Sequence, residues 1–196
     1  MRLKNVLLAA AVLCIAVQFA GCAGSYHVKT DTRDDGSVDY LLTNNEITVQ
    51  GAAKYHAELS EFAEGNYSVE KRCYIDIRSR KAASGDESYW LILTYAALDW
   101  LKIEKGRSLE LTIDTNSQVL SADSELDREM DPSGKFFTEI LEYPVTSDIL
   151  WQMIRADAIL VTVNGHEGEM KGYFNETNLA NIRRFAREHM EESAVY

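Results

Sequence analysis

Apolar residues at every second position recur through the middle of this chain, and that period constrains the fold more than any other feature. In "SLELTID", Leu109, Leu111 and Ile113 project to one side and Ser108, Glu110 and Thr112 to the other, the signature of a strand with one face buried. "CYIDI" alternates the same way through Cys73, Ile75 and Ile77. "SYWLILTYAA", residues 88–97, is apolar on both faces and predicts a central strand covered on both sides, or part of an interface. "AILVTV" ends at Asn164-Gly165, the preferred pair for a type I′ turn, so "HEGEMKGYF" is expected to return antiparallel.

Around this β-rich centre, "VDYLL" and "EITVQ" read as strands, and "AAKYHAELSEFAEG" as a short helix closed by Gly65. "QVL" is a candidate partner strand after the turn "DTNS". Residues 121–134, "SADSELDREMDPSG", read as a solvated acidic loop before the extended "FFTEILEYPV". Thr146 or Ser147 is positioned to cap a helix with Asp148 in its first turn and Ile149, Leu150, Met153 and Ile154 on its buried face. Asn175 or Thr177 opens a final helix with an apolar stripe of Leu179, Ile182, Phe185 and Met190, opposite a solvated side bearing Arg183, Arg184, Arg187 and Glu191. Leu109, Leu111, Ile113, Val161, Val163 and Phe185 are expected in the core. The expected class is α+β, an antiparallel sheet with helices packed on one face, including a C-terminal helix. A β-sandwich with a terminal helix is the alternative.

The N-terminus belongs to a different regime. Arg2 and Lys4 precede an apolar run from Val6 to Ala20, broken only by Gln18, and small residues follow from Gly21 to Ser25. A membrane-spanning helix wants ~20 apolar residues, so the run is short for a span and fits a cleaved export signal. Phe19-Ala20-Gly21-Cys22 resembles the lipobox of bacterial lipoprotein precursors, with Phe19 where that family prefers Leu. The resemblance covers residues 1–22. It implies cleavage between Gly21 and Cys22, a diacylglycerol on the Cys22 thiol and an N-acyl chain on its amine. Two or three chains hold firmly where one holds weakly. The expected organisation is a signal peptide over 1–21, a lipidated flexible tether over 22–37 rich in Gly, Ser, Thr and Asp, and one globular domain over 38–196. Ala23 stands where an Asp would resemble an inner-membrane retention signal, which favours an outer-membrane location facing the periplasm.

Loss of Arg2 and Lys4 with the signal takes the net charge from −11 to −13, which disfavours nucleic acid and anionic headgroups as partners, since both would repel an acidic surface. Cys14 leaves with the signal and Cys22 is consumed by lipid, so Cys73 has no disulfide partner and is expected to pack as a small apolar group. The search for chemistry is mostly negative. His166-Glu167-Gly168-Glu169-Met170 begins like H-E-x-x-H, but Met170 occupies the second ligand position. "DTRDDGSVD" resembles a calcium loop, but Arg33 occupies a ligand position. The alternating Asp123, Glu125, Asp127, Glu129 and Asp131 offer oxygen ligands without a rigid site. No metal site and no cofactor beyond the lipid is therefore assigned. Trp90, Trp100 and Trp151 are candidates for lining a binding surface, because Trp combines an apolar body with a hydrogen-bonding edge. The expected function is an envelope lipoprotein acting as a non-enzymatic binding module for an envelope protein or small ligand. The alternatives are a hydrolase using a carboxylate or His56/His166 as base, and a structural component of an envelope assembly.

Overall fold

The computed structural model describes residues 26–50, 55–56, 68–69, 71–130, 132 and 136–190. Lipid-site residues Gly21 and Cys22 lie outside the described residues, as do Asp131 and most of the helix expected over 52–65. Tyr55–His56, inside that expected helix, instead form a two-residue strand (β4) paired with Ser68–Val69 (β5).

The described chain is mostly antiparallel sheet with two helices, one of them C-terminal. Six strands form one sheet in the spatial order β1 (His27–Thr32), β2 (Val38–Thr43), β6 (Arg72–Lys81), β7 (Glu87–Ala97), β11 (Phe137–Val145), β10 (Asp127–Met130). Five form a second in the order β3 (Thr48–Val49), β13 (Gly168–Tyr173), β12 (Ile159–Gly165), β8 (Gly106–Ile113), β9 (Asn116–Ala122). This is nearer the sandwich expectation than helices on a single sheet. The reason is visible in β8 and β12 of the second sheet: each buries one face only, so each needs an opposing apolar layer, and the first sheet supplies it.

The core contains Ile75, Ile77, Leu91, Leu93, Leu141 and Tyr143 from the first sheet and Leu109, Leu111, Ile113, Val161 and Val163 from the second. All six residues expected in the core, Phe185 included, are buried. At ~1.5–3 kcal/mol per large apolar side chain, this double layer supplies the main driving force for folding. Cys73 is fully buried among these residues, and burial pushes its thiol far above the ordinary range, so it is inert packing material.

β7 lies centrally between β6 and β11, as expected. Tyr89, Leu91, Leu93 and Tyr95 are buried, whereas Trp90, Ile92 and Thr94 on the other face are half-buried. Its second face is therefore only partly covered.

Both helices start where their caps direct. Thr146 accepts from the Ile149 N–H to open α1 (Ser147–Arg155). Asn175 and Asn178 exchange hydrogen bonds in a capping box to open α2 (Glu176–His189). Arg183 of α2 donates to the carbonyls of Ile154 and Ala156, satisfying the C-terminal end of α1 rather than standing free in solvent. The far end of α2 reaches the first sheet, where His189 stacks on Tyr40 at 4.7 Å.

Three expectations change. The stretch expected as a tether holds β1, paired in register with β2 from His27↔Thr43 to Thr32↔Val38. An edge strand is paired on one side only and needs no apolar run, so its polar sequence hid it. The acidic segment 121–134 holds β10, paired with β11 from Asp127↔Ile140 to Met130↔Phe137. The β12–β13 hairpin turns at His166-Glu167, because Gly165 pairs with Gly168. Neither His166 nor Glu167 has a positive φ, so the turn is not the type I′ expected at Asn164-Gly165.

Candidate functional site

Gly165 has another reason to be glycine. A Cβ there would lie 2.1 Å from the Leu101 carbonyl oxygen. The hairpin tip presses directly on the connector between β7 and β8. Ile103 bridges to Gly165, His166 N–H donates to Lys102 O at 3.0 Å, and Glu167 N–H donates to Leu101 O at 3.2 Å. Lys102 reaches positive φ within this crossing, and its ammonium pairs with the Glu167 carboxylate.

From below, the same connector is held by Glu139. This carboxylate is fully buried at an inward-facing position of β11. Its Oε2 accepts from Leu101 N–H at 3.1 Å and from Ile103 N–H at 3.5 Å. Its Oε1 accepts from Arg128 Nε at 3.0 Å. Arg128, on β10, also donates to the Ile103 carbonyl and lies over the Trp100 ring at 5.8 Å. Trp100 in turn packs on Phe137 at 4.5 Å.

Two adjoining clefts open where these elements meet. One, of about 230 Å³, lies between the start of β8 and the hairpin tip, lined in part by Arg107, Ser108 and Asn164. The other, of about 420 Å³, is lined in part by Lys102, Leu126 and Arg128. Glu104, Lys105 and His166 border both. The walls are charged but balanced: Lys102 pairs with Glu167, Lys105 with Glu125 at 3.4 Å, and Arg128 with Glu139. Ser108 is buried and shares a 2.8 Å hydrogen bond with Tyr143, whose hydroxyl burial pushes up to about 12. The smaller cleft offers donors and acceptors and suits a polar ligand better than an apolar one, whereas the larger also exposes apolar surface beside Ile103 and Leu126. His166 and Glu104 line both clefts, and among the described residues no hydrogen bond joins their side chains. The side chain of His56 lies outside the described residues.

The three tryptophans do not form one groove. Trp90 lies within β7 near its start, and Trp100 follows the strand's other end. Trp90 lies on the outward face of the first sheet with the guanidinium groups of Arg78 and Arg80 at 4.6 and 5.1 Å from its ring. Trp151 is on α1 with Arg155 at 5.8 Å, and its indole N–H is buried without a partner among the described residues. Trp100 alone adjoins the cleft, through Arg128. In the segment that resembles a calcium loop, Asp39 is occupied by Arg33 and Arg80 at 2.8 and 2.7 Å. Their guanidinium groups, Arg80 first, hold its carboxyl at about 2.

Sequence reasoning missed Glu139 and Arg128. A signal was present. Phe137, Leu141, Tyr143 and Val145 alternate as inward positions of "FFTEILEYPV", and Glu139 falls among them where an apolar residue would otherwise stand. No protein-family model matches the chain, and no curated protein or solved structure matches it significantly.

Proposed function

We propose that this chain is a lipid-anchored lipoprotein of a bacterial envelope, held in the outer membrane and facing the periplasm, whose domain acts as a non-enzymatic binding module. The finer architectural reading is a β-sandwich flanked by the two helices. One observation carries the proposal: a cysteine set among small residues at the end of a short apolar run that follows Arg2 and Lys4. The clefts beside the 101–103 connector support a binding role, because a hairpin, a connector and two strands are locked around cavities, the smaller of them mainly polar, that the core does not require. The ligand class that fits is a polar molecule carrying both donors and acceptors.

The test is metabolic labelling with palmitate in a bacterial host. Label is expected in the wild-type chain and absent from Cys22→Ser, with the wild type in the membrane fraction. Equal labelling of both chains refutes the anchor.

A further inference from the structure

The anchor and the domain are joined by very little chain. Tyr26 is already part of the domain: it packs against the core, donates to Glu188 Oε2 at 2.8 Å and lies under the Arg184 guanidinium, 4.1 Å from its ring. β1 begins at the next residue. Cys22 precedes Tyr26 by four positions, and four residues reach at most about 14 Å even fully extended. A lipoprotein on a long polar tether samples every orientation. This one has no such slack.

We infer that the exposed side of α2 around Arg184 and Arg187, together with Tyr26 and the start of β1, is a membrane-apposed surface that lies against phospholipid headgroups. The inference rests on lipidation of Cys22. The occupant follows from where the chain ends: diacylglycerol on Cys22 sits at headgroup level, and whatever surrounds Tyr26 lies within ~14 Å of it. Arg184 and Arg187 are exposed one turn apart on α2, a chemistry compatible with lipid phosphates. Glu188 is engaged by Tyr26 and Arg184, and Glu191 and Glu192 follow in the sequence. Attraction between charges is therefore secondary, and covalent reach decides the orientation.

The geometry also says what points away. β1 and β10 are the two edges of the six-stranded sheet, separated by five strand spacings, or about 24 Å at ~4.8 Å each. Arg128 of the cleft is on β10. With the β1 edge at the bilayer, the cleft opens toward the aqueous side, where a soluble partner or ligand reaches it without crossing the headgroup layer.

The experiment uses the full lipidated protein in vesicles of phosphatidylethanolamine and phosphatidylglycerol. Single cysteines are introduced by Arg187→Cys and Glu129→Cys. Both positions are exposed, whereas Cys73 is buried and Cys22 is acylated, so a thiol-reactive fluorophore marks the new site alone. Nitroxide carried on lipid headgroups is expected to quench the fluorophore at position 187 and leave that at position 129 bright. Palmitate incorporation is measured on the same preparations. Palmitate present with equal quenching at both sites, or with the order reversed, overturns the orientation and leaves the anchor standing. Palmitate absent overturns both.

Discussion

Glu139→Gln is nearly isosteric, yet the surroundings of Glu139 make it a costly change. Every group the structure places against the carboxylate is a donor: the N–H groups of Leu101 and Ile103 on one oxygen and Arg128 Nε on the other. A carboxylate accepts on both sides. A carboxamide has one acceptor, so in either flip its NH₂ faces a donor and one side is left unpaired. A buried unsatisfied polar group costs about 1–3 kcal/mol, and hydrogen bonds to a charged group are worth about 1.5–3 kcal/mol. The Arg128 side chain is 43% exposed, so its share is screened. The backbone share is not. Glu139→Gln is therefore expected to destabilise the domain by about 2–3 kcal/mol, read as a lowered urea midpoint at pH 7 with an unchanged slope. A double-mutant cycle locates the conflict. In an Arg128→Met background the amide can turn its NH₂ toward the vacated side, and the loss is expected to shrink by about 1 kcal/mol or more. A Glu139→Gln protein within about 0.5 kcal/mol of wild type would refute the reasoning, because it would mean that the carboxylate is not what holds the connector.

Two further perturbations test the frame. Holding the Asp39 carboxyl near 2 instead of the ordinary 3.8 corresponds to at most about 2.5 kcal/mol, and the exposure of Arg33 and Arg80 reduces this to about 1–2. Because the folded value is depressed, the contribution is present above pH ~4 and lost as pH falls toward 2; Asp39→Asn should destabilise by that amount at pH 7 and by little at pH 2, and equal losses at both would exclude the ion pairs as its source. Gly165→Ala sets a Cβ against the backbone oxygen of Leu101, which no side-chain rotation relieves, and should cost about 3 kcal/mol in denaturant unfolding; a neutral result would show that the hairpin does not press on the connector.

Where burial is one-sided, the order of residues along the chain specified the structure. Leu109, Leu111 and Ile113, and Val161 and Val163 opposite them in register, alternate because one face meets the core and the other meets water. A helix cap is equally local, so Thr146 and Asn175 were readable. β1 and β10 were not. "HVKTDT" and "DREM" each hold a single apolar residue, Val28 against the core and Met130 exposed, too few to show alternation, and what makes them strands is backbone pairing to β2 and β11. That pairing is a property of the neighbour. The turn at His166-Glu167 failed for a related reason: Asn164-Gly165 has the local chemistry of a tight turn, but Gly165 is needed where the backbone of Leu101 passes, and the turn shifts two residues along.

The same distinction separates the two halves of the functional reading. The acylation proposed at Cys22 rests on a short contiguous stretch, because the signal for it is a local run of residue types. The clefts are lined by residues 102–105, 107–108, 126, 128 and 164–166, with Glu139 behind Arg128 and the 101–103 connector, and no sequence window contains these together. Their only trace in the chain is a contradiction, the acid at position 139 on the inward face of a strand. A buried charge of this kind survives only if the fold brings donors to it, so an inward acid in an alternating strand is itself a pointer to a crossing segment and a cation that remain to be found. Here the crossing segment is the 101–103 connector and the cation is Arg128. The cavity lies where they meet because a connector held by hydrogen bonds to a carboxylate below and to a hairpin above leaves room at its sides that apolar packing would have closed.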